Sequence, residues 1–298
     1  MTWVLALVAA SHPYAAHVLG DNSVAILYDR QTGCELVLDA PNAEPLHAFE
    51  SSCWRGGIIH DAKGRIFAWT AEHAILVAAG EVVWRRTFDP FSGVVAAVAT
   101  SKGIYAAASQ GTRILHFRPD ARSPNERPGD ERATAWVGVS NDMLVVLGRG
   151  HLYRFDGEDL IATRRVPPSA SQLLSRYEPI PSLDSIVVQP CDIVGRLGSR
   201  CEPPYILTIS GAERPRPVAP DAEMLTLAVG TALIFAREQG GEIRAIDVRA
   251  PDEPLCLGIL PPDRYVYAAG DRELVAVGTQ KLLRLPVQPE SRRARCAP

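Results

Sequence analysis

The side chains most suited to acid–base chemistry are two local pairings, His60 beside Asp61 and Arg176 two residues before Glu178. A hydrolase or lyase needs such groups to converge on one reacting atom. Successive residues of a strand point to opposite faces, so His60 and Asp61 do not form a dyad. Arg176 and Glu178 share a face and read as a local ion pair. His60, Arg176 and Glu178 together define a candidate small-molecule or hydrolytic site. The seven histidines (12, 17, 47, 60, 73, 116 and 151) are spread along the chain without evident convergence, so no metal site is expected. Gly56-Gly57 and Gly240-Gly241 read as turn glycines rather than a phosphate loop. No catalytic residue and no cofactor is assigned.

Arginine is the other chemistry-bearing type, 28 residues against three lysines. Arg85-Arg86 and Arg164-Arg165 occupy similar places in two repeats, and Arg113, Arg118, Arg122 and Arg127 lie between them in the chain. Such a set would bind carboxylates or phosphates at the rim of the fold. Asp120, Glu126, Asp130 and Glu131 are interspersed, so the local charge is nearly balanced, and with a net charge of −3 a solvated charged edge is favoured over nucleic-acid contact. A module of a nucleic-acid-processing complex stays open as a further alternative.

Six cysteines stand at 34, 53, 191, 201, 256 and 296, with no CxxC pair or zinc-finger spacing. Cys191 and Cys201 flank one long loop and form the candidate disulfide; otherwise free buried thiols of a cytoplasmic protein are expected. Intracellular disulfides belong to hyperthermophiles. The four asparagines and the arginine excess suit a thermophile, and GC-rich codon usage explains the arginines equally well. The opening run MTWVLALVAA has no Lys or Arg ahead of it and is too short to span a bilayer, so a buried strand is expected there. The chain is accordingly placed in the cytoplasm, away from membranes.

The elements that would position these groups are strands. Residues 55–90 hold four short apolar runs divided by Lys63-Gly64, Glu72-His73 and Gly80-Glu81. Similar sets recur from residue 15 to residue 287 without a long 3.6-residue periodicity. Two sets depart from the pattern. After 113–119 the chain becomes DARSPNERPGDER, with no outer strand expected, which leaves segment 113–132 as an open edge for a partner. The fifth set carries an insertion at 189–204, and the last offers three strands. An N-terminal strand from residues 2–10 would complete that last set.

The pieces ILYDRQTGCELVL and ILVAAGEVVWRRTF resemble the third-strand region of pyrroloquinoline-quinone-like and WD40-like repeats. Across nearly the whole chain the pattern resembles the seven-bladed β-propeller superfamily, although a Trp-Asp dipeptide is lacking. The resemblance implies an all-β, seven-bladed β-propeller whose last blade is closed by the N-terminal strand, with six or eight blades as alternatives. One domain would span residues 1–288, followed by a short basic tail at 289–298. The expected function is a non-enzymatic protein–protein interaction scaffold, a propeller subunit of a larger intracellular assembly with one or more protein partners. The alternative is a small-molecule-binding or hydrolytic propeller.

Overall fold

The computed structural model describes residues 12–288, apart from 41, 90–91, 110–111, 129–135, 141–142, 149–150, 157–158, 166–175, 181–184, 190, 195–197, 209–215, 219–223, 231, 239–240, 251–253 and 261–264. The backbone alone is described for 136–140, 143–148, 151–156, 159–165, 176–179, 191–194, 198–200, 224–225, 227 and 238. Every regular element among these residues is a strand. The first sheet holds β1 (His12–Val18), β2 (Val24–Arg30), β3 (Gly33–Leu38) and β4 (His47–Phe49). The second holds β5 (Gly57–His60), β6 (Ile66–Trp69), β7 (His73–Ala78) and β8 (Glu81–Thr87). The third is β9 (Val94–Thr100), β10 (Gly103–Ala108), β11 (Arg113–Phe117) and β12 (Asn125–Pro128). The fourth is β13 (Trp136–Ser140), β14 (Met143–Gly148), β15 (His151–Asp156) and β16 (Asp159–Arg165).

In the fifth sheet β17 (Arg176–Ile180) and β18 (Ser185–Gln189) are followed by a separate ribbon, β19 (Cys191–Val194) with β20 (Gly198–Cys201). The sheet then resumes with β21 (Tyr205–Thr208) and β22 (Arg216–Pro217). The sixth is β23 (Met224–Val229), β24 (Leu233–Glu238), β25 (Glu242–Asp247) and β26 (Leu255–Ile259). A three-stranded sheet ends the described chain: β27 (Val266–Ala269), β28 (Glu273–Val277) and β29 (Leu282–Pro286).

All pairings are antiparallel, and the innermost strands β1, β5, β9, β13, β17, β23 and β27 follow one another in a closed ring, β27 returning to β1. This is a β-propeller. Among the described residues six blades have four strands, where seven complete blades were expected. The segment expected to complete the three-stranded sheet, residues 2–10, lies outside the described residues, as does the tail 289–298.

Position within a blade explains each strand's composition. The second and third strands lie between neighbouring blades and are apolar on both faces, as in the fully buried IFAW of β6 and GIYAAA of β10. The inner strand β9 alternates buried and half-buried small residues, VVAAVAT. Outer strands such as β8 are largely exposed. Cores form between blades: Phe67, Trp69 and Leu76 of the second interlock with Ile104, Leu115 and Phe117 of the third. Ring closure is built alike, with Ile26 and Tyr28 packing on Val275 and Val277 while the Tyr28 hydroxyl donates to the Thr279 carbonyl.

The turn into β3 requires glycine. Gly33 has φ +142°, and a Cβ there would meet the Phe49 carbonyl oxygen at 2.4 Å, so the turn into β3 admits no side chain.

Two expectations are corrected. Strand β12 pairs with β11 from Arg113↔Pro128 to His116↔Asn125, so the edge expected to be open is covered by the chain itself. Its charged sequence carries no apolar signal; Glu126 binds Arg86 and lies 3.9 Å from Arg113, and Pro128 is tolerated because the outer edge needs no donor. The described cysteines are not free thiols. Cys34 and Cys53 form a disulfide with Cα atoms 4.8 Å apart, and Cys201 and Cys256 are each engaged in a disulfide. No described cysteine is free. The ribbon places Cys191 directly opposite Cys201.

Candidate functional site

Three places in the ring bear on function. The first is the hairpin end of the channel wall. His17 on β1 and His60 on β5 lie 43 residues apart, yet His17 Nε2 and His60 Nδ1 are 2.9 Å apart in a ring–ring hydrogen bond. This corrects the reading that the histidines do not converge. Each lies near the end of an inner strand, just before its hairpin turn, and neighbouring inner strands bring the equivalent positions together. Burial, reinforced by the neighbouring imidazole, lowers the His17 pKa to about 4. Burial also lowers that of His60, while Asp61 and Asp21 pull the other way. Burial thus favours the neutral form of both rings, the N–H of one being donated to the bare nitrogen of the other.

Asp61 acts on that pair only through its charge and is hydrogen-bonded elsewhere. Its carboxylate accepts from the backbone N–H groups of Lys63 and Arg65 and from Arg65 Nε at 2.7 Å. Arg65 donates onward to the Ala121 carbonyl at 2.9 Å and the Phe117 carbonyl at 3.4 Å. Both residues are buried, so this pair fastens the second blade to the third rather than doing chemistry.

Arg176 and Glu178 lie on β17, paired with Gln189 and Val187. In the ring β17 is flanked by β13 and β23, not by β5, so they are not neighbours of His60. Their side chains lie outside those described. Among the described residues no group of three or more His, Cys, Asp or Glu is arranged to hold a metal.

The second place is the outer wall. The short strand β4 leaves space beside β8, and a cleft of about 430 Å³ there is lined by His47, Phe49, Glu50, His73, Ile75 and Arg85. A second cleft of about 380 Å³, lined by His47, Val82, Val83, Trp84 and Arg85, shares His47 and Arg85 with it. Arg85 is exposed, and no acidic side chain pairs with it among the described residues. Its charge, after burial, helps hold His47 below the usual histidine range. Arg86 differs: it is bound by Glu126 and lies 5.0 Å over the Phe88 ring.

The rim arginines thus differ in their engagement. Arg86 also borders the 430 Å³ cleft, but it shares Glu126 with Arg113, and the two line a further cleft of about 180 Å³; Arg118 and Arg122 are exposed and Arg127 is half-buried. Arg164 and Arg165 lie on β16 opposite Leu152 and His151, their side chains outside those described.

The third place is the connection from β4 to β5. Cys53 is anchored in the disulfide, and Trp54 is 50% exposed with the Arg55 guanidinium 4.5 Å from its ring centroid. The sequence marks a turn here through Gly56-Gly57, but with no periodic pattern it does not single out Trp54 or Arg55.

No family model matches the chain, and no curated protein matches it in sequence. Solved structures share its fold at low identity. It is similar to a catalytically inactive histidine-to-alanine variant of virginiamycin B lyase from Staphylococcus aureus with quinupristin, at TM-score 0.64 and 13% identity, over 94% of this chain and 96% of that one. It is similar to the Neurospora crassa Pan2 WD40 domain at TM-score 0.61 and 13% identity, over 91% of each chain. It also resembles the β-propeller domain of Cps50 (Swd1) from Myceliophteria thermophila, at TM-score 0.60 and 12% identity, over 90% of this chain and 93% of that one. At such identities the likeness establishes the β-propeller fold, which serves enzymes and WD40 domains alike.

Proposed function

We propose that the chain is a protein-interaction propeller that holds a partner against its outer wall, at the paired clefts beside β8. The observation that carries this reading is Arg85, an exposed guanidinium between two clefts with no acidic partner among the described residues. The exposed Val82 and the half-buried Trp84 supply apolar area, and the guanidinium supplies direction. WD40 domains among the similar structures agree with a scaffold role. In this reading the ring counts seven units.

The disulfides favour an oxidising compartment over the cytoplasm; hyperthermophilic cytoplasm is the alternative that the same chemistry allows. No described helix is long and apolar enough to cross a membrane.

Affinity purification from the native source with wild type and R85E tests the proposal. A stoichiometric protein should co-purify with wild type and be lost from R85E. Recovery of the same protein by both variants contradicts the assignment to Arg85.

A second reading rests on the His17–His60 pair, two neutral imidazoles positioned for proton transfer to a small molecule in the channel. The lyase among the similar structures carries a histidine substitution in its inactive form. A small molecule retained by wild type and released by H60A, with no protein partner recovered, would favour that reading.

A further inference from the structure

We propose that the turn Cys53–Trp54–Arg55–Gly56 is a preformed anchor for a protein segment carrying a carboxylate next to an apolar side chain. The proposal rests on the reading of the chain as a partner-binding propeller. It extends the contact from Glu50, at the edge of the outer-wall cleft, to the turn that follows in the chain.

The turn is closed by the Gly56 N–H donating to the Cys53 carbonyl at 2.7 Å. Arg55 occupies its third position with φ +57°, where a four-residue turn ordinarily places glycine or asparagine. A long side chain held in that region is strained and persists only where its surroundings over-determine the backbone. They do so here. Cys53 is fully buried and bonded to Cys34 of β3. The Trp54 carbonyl accepts from the Ala71 N–H at 2.9 Å, and the Arg55 N–H donates to the Tyr14 hydroxyl at 2.7 Å. At Gly56 a Cβ would meet the Cys53 carbonyl at 2.7 Å, the Trp69 carbonyl at 2.8 Å and Leu27 Cδ1 at 2.9 Å. A rigid backbone therefore carries two outward side chains.

Those side chains suit recognition. Trp54 is one of three exposed large apolar residues among those described, with Val82 and Ile259. Arg55 covers part of the indole, and no acidic group pairs with it among the described residues. Tryptophan and arginine dominate binding energy at interfaces, and their mutual stacking here fixes both before a partner arrives. The remaining indole surface takes an apolar side chain, and the guanidinium takes a carboxylate.

The test uses a phage-displayed library of random short peptides selected on the full chain, with subtraction on W54A. Enriched peptides should carry Asp or Glu beside an apolar residue. As synthetic peptides they should bind W54A and R55A roughly tenfold more weakly than wild type or worse, the loss expected of an anchor residue. R55G separates strain from contact: its melting temperature should equal or exceed that of wild type while peptide binding is lost. Peptides that bind W54A as tightly as wild type overturn the anchor; if the same peptides are lost on R85E, the outer-wall reading survives without it. Enrichment of basic peptides, or no enrichment that depends on Trp54, also overturns it, and peptides that ignore W54A and R85E alike count against both readings.

Discussion

Arg65 and Arg85 belong to the same blade and do opposite things. Arg65 is buried, forms an ion pair with Asp61 and donates to two carbonyls of the third blade, leaving nothing for a ligand. Arg85 is exposed, has no acidic partner among the described residues and stands between two clefts. The difference teaches that charge type alone does not mark a site in a ring of repeats. What marks it is whether the fold has already consumed the group's hydrogen-bonding capacity. Removing the first should break the ring, and removing the second should leave the ring and empty its wall.

The largest effect is expected at Arg65. Arg65→Ala leaves the Asp61 carboxylate buried without its cation, a loss of about 3–5 kcal/mol in stability measured by urea unfolding. A loss below about 1 kcal/mol would mean that the pair is solvated and not a fastening between blades.

Next comes the His17–His60 end. The His17 pKa is lowered to about 4 in the folded chain, so the unfolded chain binds the extra proton between that value and 6.5. Stability is therefore complete above pH 6.5 and declines as pH falls towards 4, by about 3 kcal/mol in all. His17→Asn should flatten the decline; an unchanged pH profile would place its origin elsewhere.

Reduction of Cys34–Cys53 releases a closed loop with a sequence separation of 19, worth about 3 kcal/mol. Cys34→Ala with Cys53→Ala should lower the urea midpoint by the corresponding amount. Arg85→Glu, in contrast, should change stability by less than about 0.5 kcal/mol, as for other surface substitutions, while removing the partner. A large drop in stability on Arg85→Glu would sink the distinction between the two arginines.

The repeat was legible because buried second and third strands leave an apolar signature that local reading detects, as in IFAW and GIYAAA. Strand β12 was not legible, because NERP is held by its ladder to β11 and by Glu126 meeting arginines from other strands. Cys34–Cys53 crosses from a strand to an inter-blade connection, and no spacing rule announces it. The His17–His60 pair required knowing that equivalent ends of adjacent inner strands meet. Arg85 and Arg86 were named from sequence together, yet only the structure shows that one is engaged by Glu126 and the other has no acid partner among the described residues.

Hydrogen exchange of the chain with and without its purified partner tests the central claim most directly. Partner binding should slow exchange at 47–50 and 81–87, the two outer strands that border the cleft around Arg85. Slowed exchange confined to 17–23 and 60–66, around the His17–His60 pair, would contradict it and move the function into the channel.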